Sequence, residues 1–203
     1  MNVKTLPLGP VQANCYIVTK EDRAIVIDPG DLFDFDSILA QGPYTLEAIL
    51  LTHAHFDHIQ GVDAIIRSHP VPVYIHPQEI AFLKDPSLNA STSFYEMVSI
   101  QAPALPLKQG KMKIADFEIE VLFTPGHSCG STCFIIENTL FSGDTLFQYS
   151  IGRTDLPTGS LMEMKESLIR LSSLDDQMVV YPGHGPKTTI GQEKRMNPYL
   201  LSL

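Results

Sequence analysis

The stretch Thr52-His53-Ala54-His55-Phe56-Asp57-His58 places four side chains of metal-ligating type, His53, His55, Asp57 and His58, within six consecutive positions. Neutral imidazole and carboxylate are common protein donors to the same divalent ions. The stretch follows the apolar run Ala48-Ile49-Leu50-Leu51, which reads as a buried strand, so the donors stand where a strand gives way to a loop. The pattern returns three times. A strand over residues 117–123 leads to Gly126-His127, one over 139–142 to Gly143-Asp144, and one over 177–181 to Gly183-His184. A glycine before each donor lets the backbone turn sharply and approach closely. Four strand ends can converge on one rim, as no single helix can, and layered α/β proteins commonly build their sites there.

Five imidazoles and two carboxylates exceed the coordination of one tetrahedral ion. They suit two ions that share a carboxylate and a solvent oxygen. His53 and His55, two positions apart, can face the same side of an extended segment, with Asp57 and His58 turned toward a neighbouring position. No cysteine is needed. Zinc is the expected ion, and iron(II) or manganese(II) fits the same mixed nitrogen and oxygen donors.

A chain of 203 residues is long enough for one domain with a substantial core, and residues 1–203 read as one. No apolar run approaches the 18 or so residues needed to cross a bilayer, and residues 1–8 have no secretion-signal pattern, so the expected location is the cytoplasm. The net charge of −9, without a Lys/Arg cluster, argues against nucleic acid as a partner. Neither a membrane nor a nucleic acid is therefore expected, and the chain is read as a monomer or homodimer acting on a small molecule. Cys15, Cys129 and Cys133 make an odd count and read as free thiols.

Along the chain, strands are expected over residues 3–8, 14–18, 24–27, 48–51, 71–75, 117–123, 132–136, 139–142 and 177–181, with a hairpin across Glu137-Asn138. Helices are expected over 35–40, 59–68, 77–83 and 161–171, and residues 85–106 read as a loop with short helical pieces.

Residues 52–58 resemble the T-H-x-H-x-D-H motif of the metallo-β-lactamase-fold hydrolases. Thr124-Pro125-Gly126-His127, Ser142-Gly143-Asp144-Thr145 and Pro182-Gly183-His184-Gly185 are similar to that superfamily's later motifs, in the same order. Within the superfamily the chain looks most like the short glyoxalase II-type (hydroxyacylglutathione hydrolase) proteins. The resemblance implies an α/β fold, a four-layer αβ/βα sandwich with helices outside two facing sheets. It also implies that His53, His55 and His127 hold one metal, that Asp57, His58 and His184 hold the other, and that Asp144 bridges them. The activity implied is hydrolysis of a small-molecule thioester, such as an S-(2-hydroxyacyl)glutathione, by a metal-activated hydroxide. Asp57 is then a ligand and also the catalytic residue that orients the attacking group.

Full-length glyoxalase II proteins carry a further C-terminal helical region that supplies much of the glutathione site, and this sequence ends soon after the fourth motif. Arg153, Lys187 and Lys194 are the candidate contacts for an anionic substrate, with Arg153 expected to pair with Asp155 or another carboxylate. Tyr149 is a candidate pocket-lining residue, Cys129 a small loop residue near the donors, His76 a cap, His69 an exposed residue, and Asp28 either a turn former or a carboxylate that orients a ligand histidine.

Gly152-Arg153-Thr154-Asp155 also resembles a stretch of the persulfide dioxygenases, which use one iron held by two histidines and an aspartate; this is the alternative activity. A β-lactamase is disfavoured because Asp144 stands where those enzymes typically have Cys or Ser, and a nuclease because the chain is acidic. A non-catalytic metal-binding module would have lost donors that are all present here.

Overall fold

The computed structural model describes residues 1–94 and 97–203. Its first six strands are β1 (Asn2–Leu8), β2 (Ala13–Lys20), β3 (Arg23–Ile27), β4 (Thr45–Leu50), β5 (Val73–Ile75) and β6 (Ala104–Pro106). They form one sheet in chain order, antiparallel from β1 to β3 and parallel from β3 to β6. The second sheet begins with β7 (Gly110–Ile114), β8 (Phe117–Phe123), β9 (Thr132–Ile136) and β10 (Thr139–Gly143). A small ribbon, β11 (Leu146–Phe147) and β12 (Ser150–Ile151), follows. The sheet is then completed by β13 (Val179–Pro182) and β14 (Thr188–Thr189), in the order β14-β13-β10-β9-β8-β7.

The side-chain alternation of these strands sorts apolar residues into three layers. Val26 and Ile49 point out of the first sheet, where they pack with Phe35 and Leu39 of α1 (Phe35–Leu39), Ile59 of α2 (Phe56–Ile59) and Val62 and Ile65 of α3 (Val62–Ser68). Their strand neighbours Ile25, Ile27 and Leu50 point inward and meet Phe117, Val121, Phe134 and Phe141 of the second sheet. On the outer face of the second sheet, Cys133, Leu140 and Val180 pack against Met164, Leu168 and Leu171 of α4 (Leu161–Ser172), Ile190 of α5 (Ile190–Met196) and Leu200 of α6 (Pro198–Leu201). Three apolar interfaces separate four layers, so the αβ/βα sandwich is the observed architecture. Central strands buried on both faces read as near-continuous apolar runs, which is why they were visible in the sequence.

Some expectations are corrected. The helix expected over 59–68 is two helices, α2 and α3, because the amide of Gly61 is taken by the Pro29 carbonyl at 2.7 Å instead of continuing the helical ladder. Residues 77–83 form two short 3-10 turns, Pro77–Glu79 and Phe82–Lys84. The segment 85–106 contains a 3-10 turn over Ser91–Phe94 and strand β6, and its residues 95 and 96 lie outside the described residues. Strand β7 was missed because Lys111 and Lys113 alternate with apolar residues on an edge, and β11, β12, β14, α5 and α6 are too short or too polar to announce themselves. Helix α4 was legible. Ser160 caps it by accepting from the Glu163 amide at 3.3 Å, and Met164, Leu168 and Leu171 make its buried stripe. No described helix is long and apolar enough to cross a membrane.

Candidate metal centre

Sheet register delivers the donors. Strands β3 and β4 run parallel with Ile27 opposite Leu50, so Asp28, just past β3, lies beside Thr52 and His53, just past β4. Strands β10 and β13 also run parallel. The Gly183 amide donates to the Gly143 carbonyl at 2.8 Å, which sets Asp144 next to His184. Two glycines permit this approach. Gly143 has φ +47° and faces the Thr52 side chain, and a Cβ on Gly183 would overlap Asp144 Oδ1. The sheets are tied together at the same edge, where the Thr132 amide donates to the Thr52 carbonyl at 2.8 Å. His127 follows β8, and Asp57 and His58 lie on the single turn of α2.

All seven expected donors meet here. His53, His55 and His127 have ligand atoms within 4.8 Å of one another, and so do Asp57, His58 and His184. Asp144 stands between the two groups. Its Oδ1 is 3.4 Å from His58 Nε2, while its Oδ2 is 3.4 Å from His127 Nε2 and 3.6 Å from His184 Nε2. Asp57 Oδ2 lies 3.2 Å from His184 Nε2.

Among the described residues, the buried side-chain atoms without a hydrogen-bond partner are His53 Nε2, His55 Nε2, His58 Nε2 and Asp144 Oδ1. Buried polar atoms left unpaired cost about 1–3 kcal/mol each, and folded proteins rarely keep several together without a ligand. The donor set is all imidazole and carboxylate, so these residues fit divalent cations.

The remaining ring nitrogens are held by protein oxygens, which fixes the tautomers. Asp28 Oδ2 accepts from His58 Nδ1 at 2.9 Å and from Thr52 Oγ1 at 2.6 Å, while Asp28 Oδ1 accepts from the Thr52 amide at 2.8 Å. Because the Thr52 hydroxyl gives its proton to Asp28, it can only accept from His53 Nδ1, 3.0 Å away. His127 Nδ1 donates to the Arg153 carbonyl at 2.7 Å, and His184 Nδ1 to the Val11 carbonyl at 3.2 Å. In each of these four histidines Nδ1 is the nitrogen held by protein, and Nε2 is the one turned to the cradle, able to ligate once it carries no proton. His55 differs, since its Nδ1 lies 2.8 Å from His127 Nε2.

The electrostatics differ between the two groups of donors. Burial and neighbouring imidazoles press His53 well below its usual pKa, and burial presses His55 to about 3, so both present neutral nitrogens. Burial also opposes charge on His58, but the carboxylates of Asp57, Asp144 and Asp28 outweigh it and raise His58 well above the usual value. Burial would raise Asp144, yet His58, His127 and His184 hold it well below the carboxylate range.

Two residues that stabilise this arrangement carried no signal in the sequence. Glu79 is fully buried and accepts from the Ala54 amide at 2.5 Å, from the Gly130 amide at 3.0 Å and from the Ser128 hydroxyl. It thereby clamps the His53–His55 segment to the loop that carries His127. Burial pushes its carboxyl up to about 7. Asn14 sends its Nδ2 to the carbonyls of Pro182 at 3.0 Å and Gly185 at 2.9 Å, which anchors the loop bearing His184 to the first sheet.

Of the expected substrate contacts, only Arg153 lines the cavity over the donors, and its guanidinium forks onto Asp155 at 2.6 and 2.8 Å, holding that carboxyl down to about 2. Tyr149 does not line it; its hydroxyl accepts from Gln192 at 2.9 Å. Lys187 sits 6.0 Å over the Tyr181 ring and Lys194 pairs with Asp176 at 2.6 Å, both outside the cavity. Asp28 proves to be both alternatives at once, a turn residue with φ +51° and the orienting carboxylate. His76 caps as expected by accepting from the Gln78 amide at 3.2 Å, whereas His69 pairs with Asp36 at 2.5 Å. Burial raises the Cys129 thiol, so it is not an activated thiolate, and the three cysteines are free.

The profile of the metallo-beta-lactamase superfamily matches residues 8–184. A probable metallo-hydrolase of Bacillus subtilis is 38% identical, with 98% of each chain covered. A hydroxyacylglutathione hydrolase of Haemophilus influenzae is 34% identical, covering 100% of this chain and 99% of that one. Among solved structures, the BLEG-1 B3 metallo-β-lactamase superposes with a TM-score of 0.92 at 42% identity, covering 98% of this chain and 99% of that chain. TTHA1623, in a di-iron-bound form, gives 0.86 at 40% identity, covering 98% of this chain and 100% of that chain. A match across the fold and through all four donor loops means that this chain belongs to the metallo-beta-lactamase superfamily.

Proposed function

We propose that the protein is a dinuclear metal-dependent hydrolase of small-molecule thioesters. The observation that carries this is the position of Asp144, with one oxygen toward His58 and the other toward His127 and His184. In this reading His53, His55 and His127 hold one ion, Asp57, His58 and His184 the second, and Asp144 both. A pair of divalent ions in such a cradle supplies hydroxide near pH 7 and polarises a carbonyl oxygen.

The chain's own residues do the rest. Asp57 reaches the cavity floor beside His184 and orients the attacking oxygen. Water adds to the thioester carbonyl carbon, the C–S bond breaks, and a carboxylic acid and a thiol leave. A thiolate departs with little help from an acid, so no Ser-His-Asp arrangement is required. The relative from Haemophilus influenzae, described as a hydroxyacylglutathione hydrolase, supports a thioester as the substrate class. The di-iron-bound neighbour supports iron as readily as zinc.

The likeness to a B3 metallo-β-lactamase favours a second reading, in which the same centre opens a β-lactam amide. One experiment separates these. Metal is counted in protein purified without added metal, and the protein is assayed on thioesters, glutathione persulfide and a chromogenic cephalosporin. The expected result is two ions per chain, thioester cleavage above cephalosporin cleavage, and no oxygen uptake. One iron with oxygen uptake on the persulfide overturns the proposal.

A further inference from the structure

The cavity above the donors has a volume of about 330 Å³, at the small end for a ligand site. One side of it is the metal cradle. The other is apolar, formed by Val11, Phe56, Ala90, Phe94, Phe147 and Leu156. Phe56 and Phe94 pack ring against ring at 4.9 Å, and Phe147 sets its ring edge-on to His184 at 5.9 Å, so the wall runs down to the donors. Phe94 is 42% exposed and Val11 37% exposed, so the apolar wall is open to solvent at these two residues.

The polar side of recognition is weak. Among the described lining residues Arg153 is the one Lys or Arg side chain, and the Nε and Nη2 edge of its guanidinium is already on Asp155. Its own backbone carbonyl is committed to His127.

We infer that the pocket selects thioesters with a compact apolar acyl group on an uncharged thiol, and that it discriminates against anionic conjugates of the glutathione type. This rests on the thioesterase reading and narrows it. The apolar wall takes up the acyl chain, and Asp155 acts as a specificity-determining residue by keeping the Arg153 guanidinium from a substrate carboxylate.

The test uses matched pairs, with acetyl, butyryl and lactoyl groups each carried on N-acetylcysteamine and on glutathione, and the metal-loaded enzyme. For the butyryl pair, kcat/KM on N-acetylcysteamine should exceed that on glutathione by about tenfold. Asp155→Asn frees the guanidinium and should lower KM for the glutathione substrates about threefold or more, narrowing that ratio. Phe94→Ser should raise KM for butyryl thioesters more than for acetyl ones, a difference that general loss of fold does not produce. A preference of the wild-type enzyme for the glutathione partner, or an Asp155→Asn variant with an unaltered ratio, overturns the inference while leaving the thioesterase reading intact. Failure to cleave any of the six thioesters removes that reading and the inference with it.

Discussion

Replacing Asp28 by asparagine exchanges one oxygen for a nitrogen on a side chain that is 1% exposed and accepts three hydrogen bonds. Asparagine offers one acceptor oxygen. With that oxygen on the Thr52 amide, its NH2 faces two donors, the Thr52 hydroxyl and His58 Nδ1–H. The conflict is relieved if His58 moves its proton to Nε2 and Thr52 turns its hydroxyl toward His53 Nδ1, which sends the His53 proton to Nε2 as well. Both of those nitrogens face the cradle and have no hydrogen-bond partner in the wild type. Loss of one such outer partner costs 10–100-fold in metal affinity, roughly 1.4–2.7 kcal/mol. With two histidines affected, the expectation is the upper end, about 100-fold. Thr52→Val cuts only the His53 branch and should cost about tenfold. Competition against a chromophoric chelator at pH 7 measures both, with circular dichroism confirming that each variant is folded. An Asp28→Asn protein that binds its ions within about threefold of wild type refutes the tautomer argument, as does a Thr52→Val variant that is the weaker binder.

Glu79 holds its proton to about 7 in the folded chain against an ordinary 4.5, so the folded state binds more protons and stability falls as pH rises between those values. Metal-free wild type should lose on the order of 3 kcal/mol relative to Glu79→Gln between pH 4.5 and pH 7.5, and parallel urea-denaturation midpoints across that range would contradict it. Gly183→Ala drives a methyl into Asp144 Oδ1 and should cost about 1–3 kcal/mol and displace the carboxylate, read as fewer ions per chain in a folded protein; full metal content would refute the close approach. Chelation should lower the thermal midpoint, since saturation at a hundred times Kd adds about 2.7 kcal/mol, and a midpoint indifferent to chelator would deny the cradle its ions.

The parts of this molecule that could be read in advance are those fixed locally. The β9–β10 hairpin follows from apolar runs flanking Glu137-Asn138, where Glu137 takes φ +55°. The donors were legible because each motif carries its own ligand types, beside a glycine in the three later ones. Asp144 is the clearest case, since its place between two histidine groups depends on the β10–β13 register, yet its motif alone marked it. Glu79 and Asn14 were silent for the opposite reason. A buried polar side chain takes its meaning from partners 25 to 171 residues away, and nothing in His76-Pro77-Gln78-Glu79 or in the apolar surroundings of Asn14 names them. The surroundings of Tyr149 and Lys187 were silent likewise, because their partners, Gln192 and the Tyr181 ring, become neighbours only on folding.

The donors are drawn from both halves of the sandwich, His53, His55, Asp57 and His58 from the loop and helical turn after β4 of the first sheet and His127, Asp144 and His184 from loops after strands of the second. On the proposed assignment neither half alone has a complete grip, so cations would act as rivets that can be set only after the halves have closed on each other. A nascent or partly opened chain would let its ions go, and scarcity of metal in the surroundings would be felt first as a looser seam between the sheets, ahead of any fault in either one.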